Sequence, residues 1–303
     1  MWIFSALLFS TAPSVAQERG GDPAPDTQQA ADQLKRGRYE DAITSCKRAL
    51  GRDERYVPAI LLMAKSYYYL KKYEFAAAMV DLVHKLDPNS AEGYHLLGFV
   101  ALARSDNTSA TAAFKKATEL NDDYGIAWNN LAAQYILAKN FEAAVPAAEK
   151  ATQLLPNFDK AHLNLGAAYR GKGMYSEAER ELRKALDLNP NYAEAYYNLG
   201  VMYLDAPKIG ELDVITKFNT AIGHLARYKN LASYRLTKDD PVDGFIDEAR
   251  KGIDREQKRL QRLEKQKERE RAKAAPAPAE GAPAAPPSEG QPAPPPPAPG
   301  DTP

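Results

Sequence analysis

The chain has 303 residues, with 40 Lys plus Arg against 40 Asp plus Glu, so it carries no global field of the kind that draws a protein to nucleic acid or acidic membranes. A single cysteine, Cys46, excludes an intramolecular disulfide and a Cys-x-x-Cys metal set, and leaves packing to hold the fold. With four histidines and no hydrolase, kinase or zincin motif, the sequence offers no candidate catalytic residue, metal site, cofactor or small-molecule substrate.

At the start, an apolar run from Trp2 to Phe9 is followed by Ser14-Val15-Ala16, small residues where a secretory peptidase needs them. This predicts a signal peptide over 1–16, Gln17 as the new start, and a periplasmic address. No Lys or Arg precedes the run, which leaves an uncleaved inner-membrane anchor as the alternative. No cysteine lies near residue 17 to carry a lipid. A flexible lead-in is expected over 17–27, then a degenerate first repeat over 28–56 with Cys46 as an inert core thiol.

From Val57 the sequence repeats. A spacing of 34 residues brings Asp87-Pro88-Asn89, Leu155-Pro156-Asn157 and Asn189-Pro190-Asn191 into register, with Asn121-Asp122-Asp123 in the remaining slot. The units run 57–90, 91–124, 125–158 and 159–192, with a divergent one over 193–230. Each holds two apolar patterns of helical period around a short polar turn such as Lys139-Asn140, and no stretch alternates like a strand.

In the fifth unit Asp205 to Gly210 lengthens the turn, and Phe218 with Ala221 recovers the second helix. Over 241–273, Phe245, Ile246, Ala249 and Ile253 predict a capping helix that becomes almost wholly charged. Ile246, Ile253 and Leu260 fall seven apart, which leaves a coiled-coil seam and self-association open beside a solvated helix. Residues 274–303 are rich in Pro and Ala and are expected to be disordered.

Within the 34-residue frame, position 4 holds Ile60, Tyr94, Trp128, His162 and Tyr196; position 7 holds Met63, Leu97, Leu131, Leu165 and Leu199. Position 8 holds Ala64, Gly98, Ala132, Gly166 and Gly200, and position 20 holds Ala76, Ala110, Ala144 and Ala178. The small residues let the two helices of a unit approach, and stacking of units buries stripes that one unit cannot cover. This pattern resembles the tetratricopeptide repeat family. The resemblance implies an all-α, right-handed solenoid of helical hairpins, and explains other features blandly. Gly166 to Gly173 (GAAYRGKG) is a small packing position and a turn rather than a phosphate loop, and His162 is a packing residue in a large-residue slot.

The resemblance also implies a concave groove lined by the first helix of each unit. Carried over to this chain, the groove displays Lys65, Tyr68, Tyr69, His95, Phe99, Asn129, Ile136, Leu137, Lys160, Arg170 and Tyr197, mostly apolar and aromatic side chains that suit a protein segment. Asn130, Asn164 and Asn198 recur at position 6, either as a row of amides for an extended backbone or as consensus residues. The family's carboxylate clamp for chaperone tails is incomplete. The expected function is a non-catalytic scaffold for envelope-complex subunits, with no nucleic-acid partner. The segment PKIGELDVITKFNTAIGHLARYKN is similar to periplasmic repeat proteins of gliding motility. Alternatives are an assembly factor for a pilus or secretion complex, or an accessory subunit of a cell-wall enzyme.

Overall fold

A computed structural model describes residues 21–234, 236–237 and 240–274. The signal-peptide expectation and the Pro/Ala-rich tail lie outside these residues. The described chain is all-α, with thirteen helices and no strand among the described residues. It divides into two compact units at Ile253/Asp254.

In the first unit, helices pair as hairpins: α1 (Ala24–Lys35) with α2 (Tyr39–Arg52), α3 (Val57–Tyr69) with α4 (Tyr73–Leu86), α5 (Ala91–Ala103) with α6 (Asn107–Leu120), α7 (Gly125–Leu137) with α8 (Phe141–Leu154), and α9 (Asp159–Gly171) with α10 (Tyr175–Leu188). Then α11 (Ala193–Asp205) pairs with α12 (Val214–Ala232). Each second helix also packs against the first helix of the next unit, so the hairpins stack as a solenoid.

The close approach inside each hairpin is visible at the small positions. A Cβ placed on Gly98 would stand 2.5 Å from the Phe114 ring, and one on Gly166 would stand 2.6 Å from Leu182 and 3.2 Å from the Ala178 carbonyl oxygen. Phe114, Leu182, Ala144 and Ala178 are fully buried. Burying a side chain the size of Phe114 is worth about 1.5–3 kcal/mol, and the absence of a Cβ opposite is what admits it.

Two local devices set the turns. Position 15 is left-handed in five successive hairpins: Gly37, Lys71 (φ 59°), Ser105 (φ 61°), Lys139 (φ 56°) and Gly173. Each closes a Schellman pair, as when Lys72 N donates to Tyr67 O at 2.9 Å and Lys71 N donates to Tyr68 O at 2.9 Å. Between units, Asp53, Asp87, Asn121 and Asn189 each accept from the backbone N–H two residues on, at 2.9, 3.0, 3.0 and 3.3 Å. That side-chain turn explains how Asn121 fills its slot without a proline.

Three expectations need correction or completion. The lead-in over 17–27 is not flexible to its end. Helix α1 begins at Ala24, and the buried Asp26 is held by Arg48 at 2.9 Å and Arg52 at 2.8 Å. The first hairpin is also a complete one, with Ala30 and Ala42 fully buried where the frame puts its small residues. In the fifth unit, Ala221 and Leu225 take the small and large places: a Cβ on Gly200 would meet Leu225 at 2.5 Å and the Ala221 carbonyl oxygen at 3.3 Å. Phe218 instead lies against Gly252 of α13 (Val242–Ala274). The longer connection is pinned by Lys217, whose buried Nζ donates to Ala206 O at 2.6 Å, and by Asp213, which caps α12.

The first turns of α13, within this same unit, close the stack. Val242 and Ile246 join Val201 and Leu225 in one buried cluster. In the second unit the helix is charged, and Leu260 and Leu263 are 45% and 40% exposed. Its ion pairs are internal, as between Lys258 and Asp254 at 2.7 Å and between Arg259 and Glu256 at 2.6 Å.

Candidate functional site: an aromatic pocket on the first helices

The last turn of α3 carries Tyr68 and Tyr69, and α5 presents His95 and Phe99 one and two turns along its length. Packing of α3 against α5 brings the Tyr68 ring to 5.7 Å from Phe99, and Tyr69 stacks on Tyr39 of α2 at 5.1 Å. The result is a pocket of about 460 Å³. It is lined by Leu34, Lys65, Tyr68, Tyr69, His95, Leu96, Phe99 and Tyr124. Five residues expected in the groove thus meet here: Lys65, Tyr68, Tyr69, His95 and Phe99.

The pocket is electrically quiet. Lys65 is already paired with Glu92 at 3.2 Å. His95 is buried, with Asn130 Nδ2 2.8 Å from its Nε2 and the Tyr124 hydroxyl 3.0 Å from its Nδ1. An amide nitrogen only donates, so Nε2 accepts and the proton resides on Nδ1, which donates to Tyr124. Burial, reinforced by the nearby Lys65 ammonium, lowers the His95 pKa to about 4, so the ring is neutral. Burial likewise raises Tyr68 above the ordinary phenol range and keeps it an O–H donor. The Tyr68 and Tyr69 hydroxyls find no hydrogen-bond partner among the described residues.

The asparagine row is used inside the chain. Asn130 reaches back to His95, Asn164 Nδ2 donates to Asn129 Oδ1 at 2.9 Å, and Asn198 Nδ2 donates to Glu194 O at 2.9 Å. Asn130 and Asn164 therefore tie one unit to the one before it, and Asn129 is buried. These donors are already engaged and do not form an open ladder for a ligand backbone.

The other expected groove residues are dispersed. Ile136 packs against the central core, and the 62% exposed Leu137 lines a separate pocket with α6. Lys160 is exposed, and Arg170 pairs with Asp205 at 3.2 Å. Tyr197 is covered by Tyr228 at 5.1 Å and Phe245 at 6.1 Å. Leu34, Leu96 and Tyr124 were missed as pocket residues. Leu34 was recoverable from the sequence, since counting 34 back from Tyr68 lands on it.

A second pocket, of about 520 Å³, lies between α6, α7 and α8. Trp128, Leu131, Tyr135 and Pro146 form its apolar part, and its rim charges pair among themselves, as between Lys150 and Asp122. Elsewhere, His162 is buried between Glu181 (2.8 Å) and the Pro156 carbonyl (3.0 Å). Burial pushes the Cys46 thiol up to about 12, which makes it a poor nucleophile. Among the described residues no group of three His, Cys, Asp or Glu could hold a metal, and no helix is long and apolar enough to cross a membrane.

Comparison with curated proteins finds no match. Among solved structures, the chain superposes on a chain of the APC/C hetero-tetramer Cut9–Hcn1 with a TM-score of 0.62 at 17% identity, covering 75% of this chain and 42% of that one, so it spans less than half of that protein. PilW, a type IV pilus biogenesis factor, gives a TM-score of 0.58 at 20% identity over 72% of this chain and 96% of its own. YrrB, a repeat protein with an unusual peptide-binding site, gives 0.52 at 20% identity over 65% and 94%. Tetratricopeptide repeat families match residues 33–98 and 96–158, and a TPR repeat family matches 168–205, together more than half of the sequence. With its stacked hairpins and their recurrent small-residue contacts, the chain is a member of the tetratricopeptide repeat family.

Proposed function

We propose that this protein is a non-catalytic adaptor of the bacterial cell envelope that captures a segment of a partner protein in the aromatic pocket formed by α1, α3 and α5. The observation that carries this reading is the pocket itself: converging rings, and two tyrosine hydroxyls with no hydrogen-bond partner among the described residues, on the first-helix face of a repeat scaffold. Aromatic side chains give large contact area at low entropic cost, which suits them to holding a peptide. The envelope address is supported by the apolar run and small residues of 1–16. A place in a gliding-motility complex is supported by the likeness of the segment that forms the long connection and α12. The fold shared with PilW favours a second reading, an assembly factor for a pilus.

The test is purification of the tagged full-length protein after in-cell crosslinking, with periplasmic and cytoplasmic fractions analysed separately, for the wild type and for Tyr68→Ala/Tyr69→Ala. Envelope subunits in the periplasmic fraction that disappear with the variant, at unchanged melting temperature, are the expected result. Cytosolic partners joined to a chain that keeps Met1 overturn the address, and partners retained by the variant overturn the pocket.

A further inference from the structure

We infer that the basic face of α13 between Arg255 and Lys273 is a docking surface for an anionic phospholipid bilayer. This face belongs to the second compact unit alone and is independent of the aromatic pocket.

The balance of 40 cationic against 40 anionic residues over the whole chain conceals a local segregation. At about 100° per residue, Arg255, Lys258, Arg262, Lys265, Arg269 and Lys273 share one strip of the helix about 80° wide and about 27 Å long. No acidic residue lies within it. Asp254 stands at the edge of the strip and pairs with Lys258 at 2.7 Å. Glu256, Glu264, Glu268 and Glu270 lie about 100° or more from its midline. The cations of the strip are all exposed, and Arg255, Arg262, Lys265, Arg269 and Lys273 have no carboxylate partner among the described residues.

A helix that only has to stay solvated gains from opposite charges four residues apart. Here Arg255 and Arg259, Lys258 and Arg262, Lys265 and Arg269, and Arg269 and Lys273 are like-charge pairs at that spacing, each mildly destabilising. The arrangement works against the helix itself, and an anion outside the chain offsets it.

The shape of the strip selects among polyanions. A nucleic-acid groove flanks an inserted helix with phosphates on both sides. Glu268 and Glu270 stand on opposite sides of the strip and would face those phosphates. A partner helix packs through an apolar seam, but Leu260 and Leu263 lie away from the cations, toward the far side. A flat anionic surface meets the whole strip at once, holds the acidic flanks away from itself, and needs no apolar residue among the cations.

The test is co-sedimentation of the full chain with vesicles of phosphatidylglycerol and phosphatidylcholine in equal parts, beside vesicles of phosphatidylcholine alone. Binding to the acidic vesicles should be at least about tenfold tighter, and the difference should vanish in 1 M salt, where the screening length falls to about 3 Å. A basic residue at an anionic surface contributes roughly a fivefold factor in affinity, so Arg262→Gln/Lys265→Gln should weaken acidic-vesicle binding on the order of thirtyfold. Lys267→Gln/Arg271→Gln removes the same charge from the opposite side of the helix and should weaken it by no more than about threefold. Glutamine is a good helix former and keeps the helix in both variants, which circular dichroism verifies. No preference for the acidic vesicles, or equal losses from the two variants, overturns the assignment. Stronger capture of duplex DNA or of polyglutamate, in competition with the acidic vesicles, overturns the bilayer as occupant in favour of a nucleic acid or an acidic protein.

Discussion

The two ends of the solenoid use the same positions of the repeat for opposite purposes. In α3 and α5, the groove positions hold Tyr68, Tyr69 and Phe99 and remain open as a pocket. In α11 the places of His95, Phe99 and Tyr68 are taken by Tyr197, Val201 and Leu204, and the first turns of α13 cover them with Val242, Phe245 and Ile246. An aromatic or aliphatic residue at a groove position is thus an open face or a core face according to whether a later helix packs over it. That is decided by a contact distant in sequence, which a repeat frame does not encode.

The sharpest way to break this comparison is to truncate one residue at each end. Ile246→Ala should cost about 2–5 kcal/mol, as loss of a buried aliphatic side chain does, while Tyr69→Ala, 52% exposed, should cost less, about 0.5–1.5 kcal/mol for each of its ring contacts with Tyr39 and Tyr68. Chemical denaturation of the two variants measures both, and equal costs would mean that Tyr69 is core.

Acid should act on the pocket end. An unfolded histidine takes up a proton near 6.5, whereas native His95 resists until about pH 4. Its contribution is therefore fully present above pH 6.5 and lost as the pH falls from 6.5 to 4, by roughly 3 kcal/mol. His84 and His224, also lowered by burial, tilt stability in the same direction. His95→Gln should flatten the slope of unfolding free energy between pH 4 and 6.5.

Ala178→Leu and Ala221→Leu compare a regular hairpin with the one that carries the long connection. Each should cost about 1–3 kcal/mol by overpacking, because both alanines are fully buried. A thermally silent Ala221→Leu would show that the last hairpin does not restore the packing of the others. The smallest effect is a gain: Lys71→Gly, Ser105→Gly and Lys139→Gly relieve a left-handed residue, and each should raise stability by about 0.5 kcal/mol after the extra unfolded-state freedom of glycine is deducted. The last hairpin, turned by the connection around Ala206 and Asp213, offers no equivalent site.

Much of the scaffold is legible in the sequence, because small residues at fixed spacing have one steric meaning. Gly98, Gly166 and Gly200 face Phe114, Leu182 and Leu225 as helix-to-helix contacts of the repeat require. The first hairpin is less legible since it lacks the Pro-Asn turn. Its Asp26 looks like part of a polar lead-in until Arg48 and Arg52 are seen to hold it. The site is half legible. The family resemblance implies that Tyr68, Tyr69, His95 and Phe99 line one groove, but their convergence with Leu34 and Tyr124 depends on how neighbouring units stack. The spending of Asn130 and Asn164 on adjacent units is likewise tertiary, since an amide at position 6 looks the same whether it faces a ligand or the helix beside it.

The most direct test of the central claim, that the open end captures a protein segment, is site-specific photo-crosslinking in cells with benzoylphenylalanine in place of Tyr69, and in a separate variant in place of Phe75, which is 58% exposed but outside the pocket. Discrete crosslinked products from position 69 and none from position 75 are predicted. Products from position 75 alone, or none from position 69, would contradict the assignment of the pocket as the binding site.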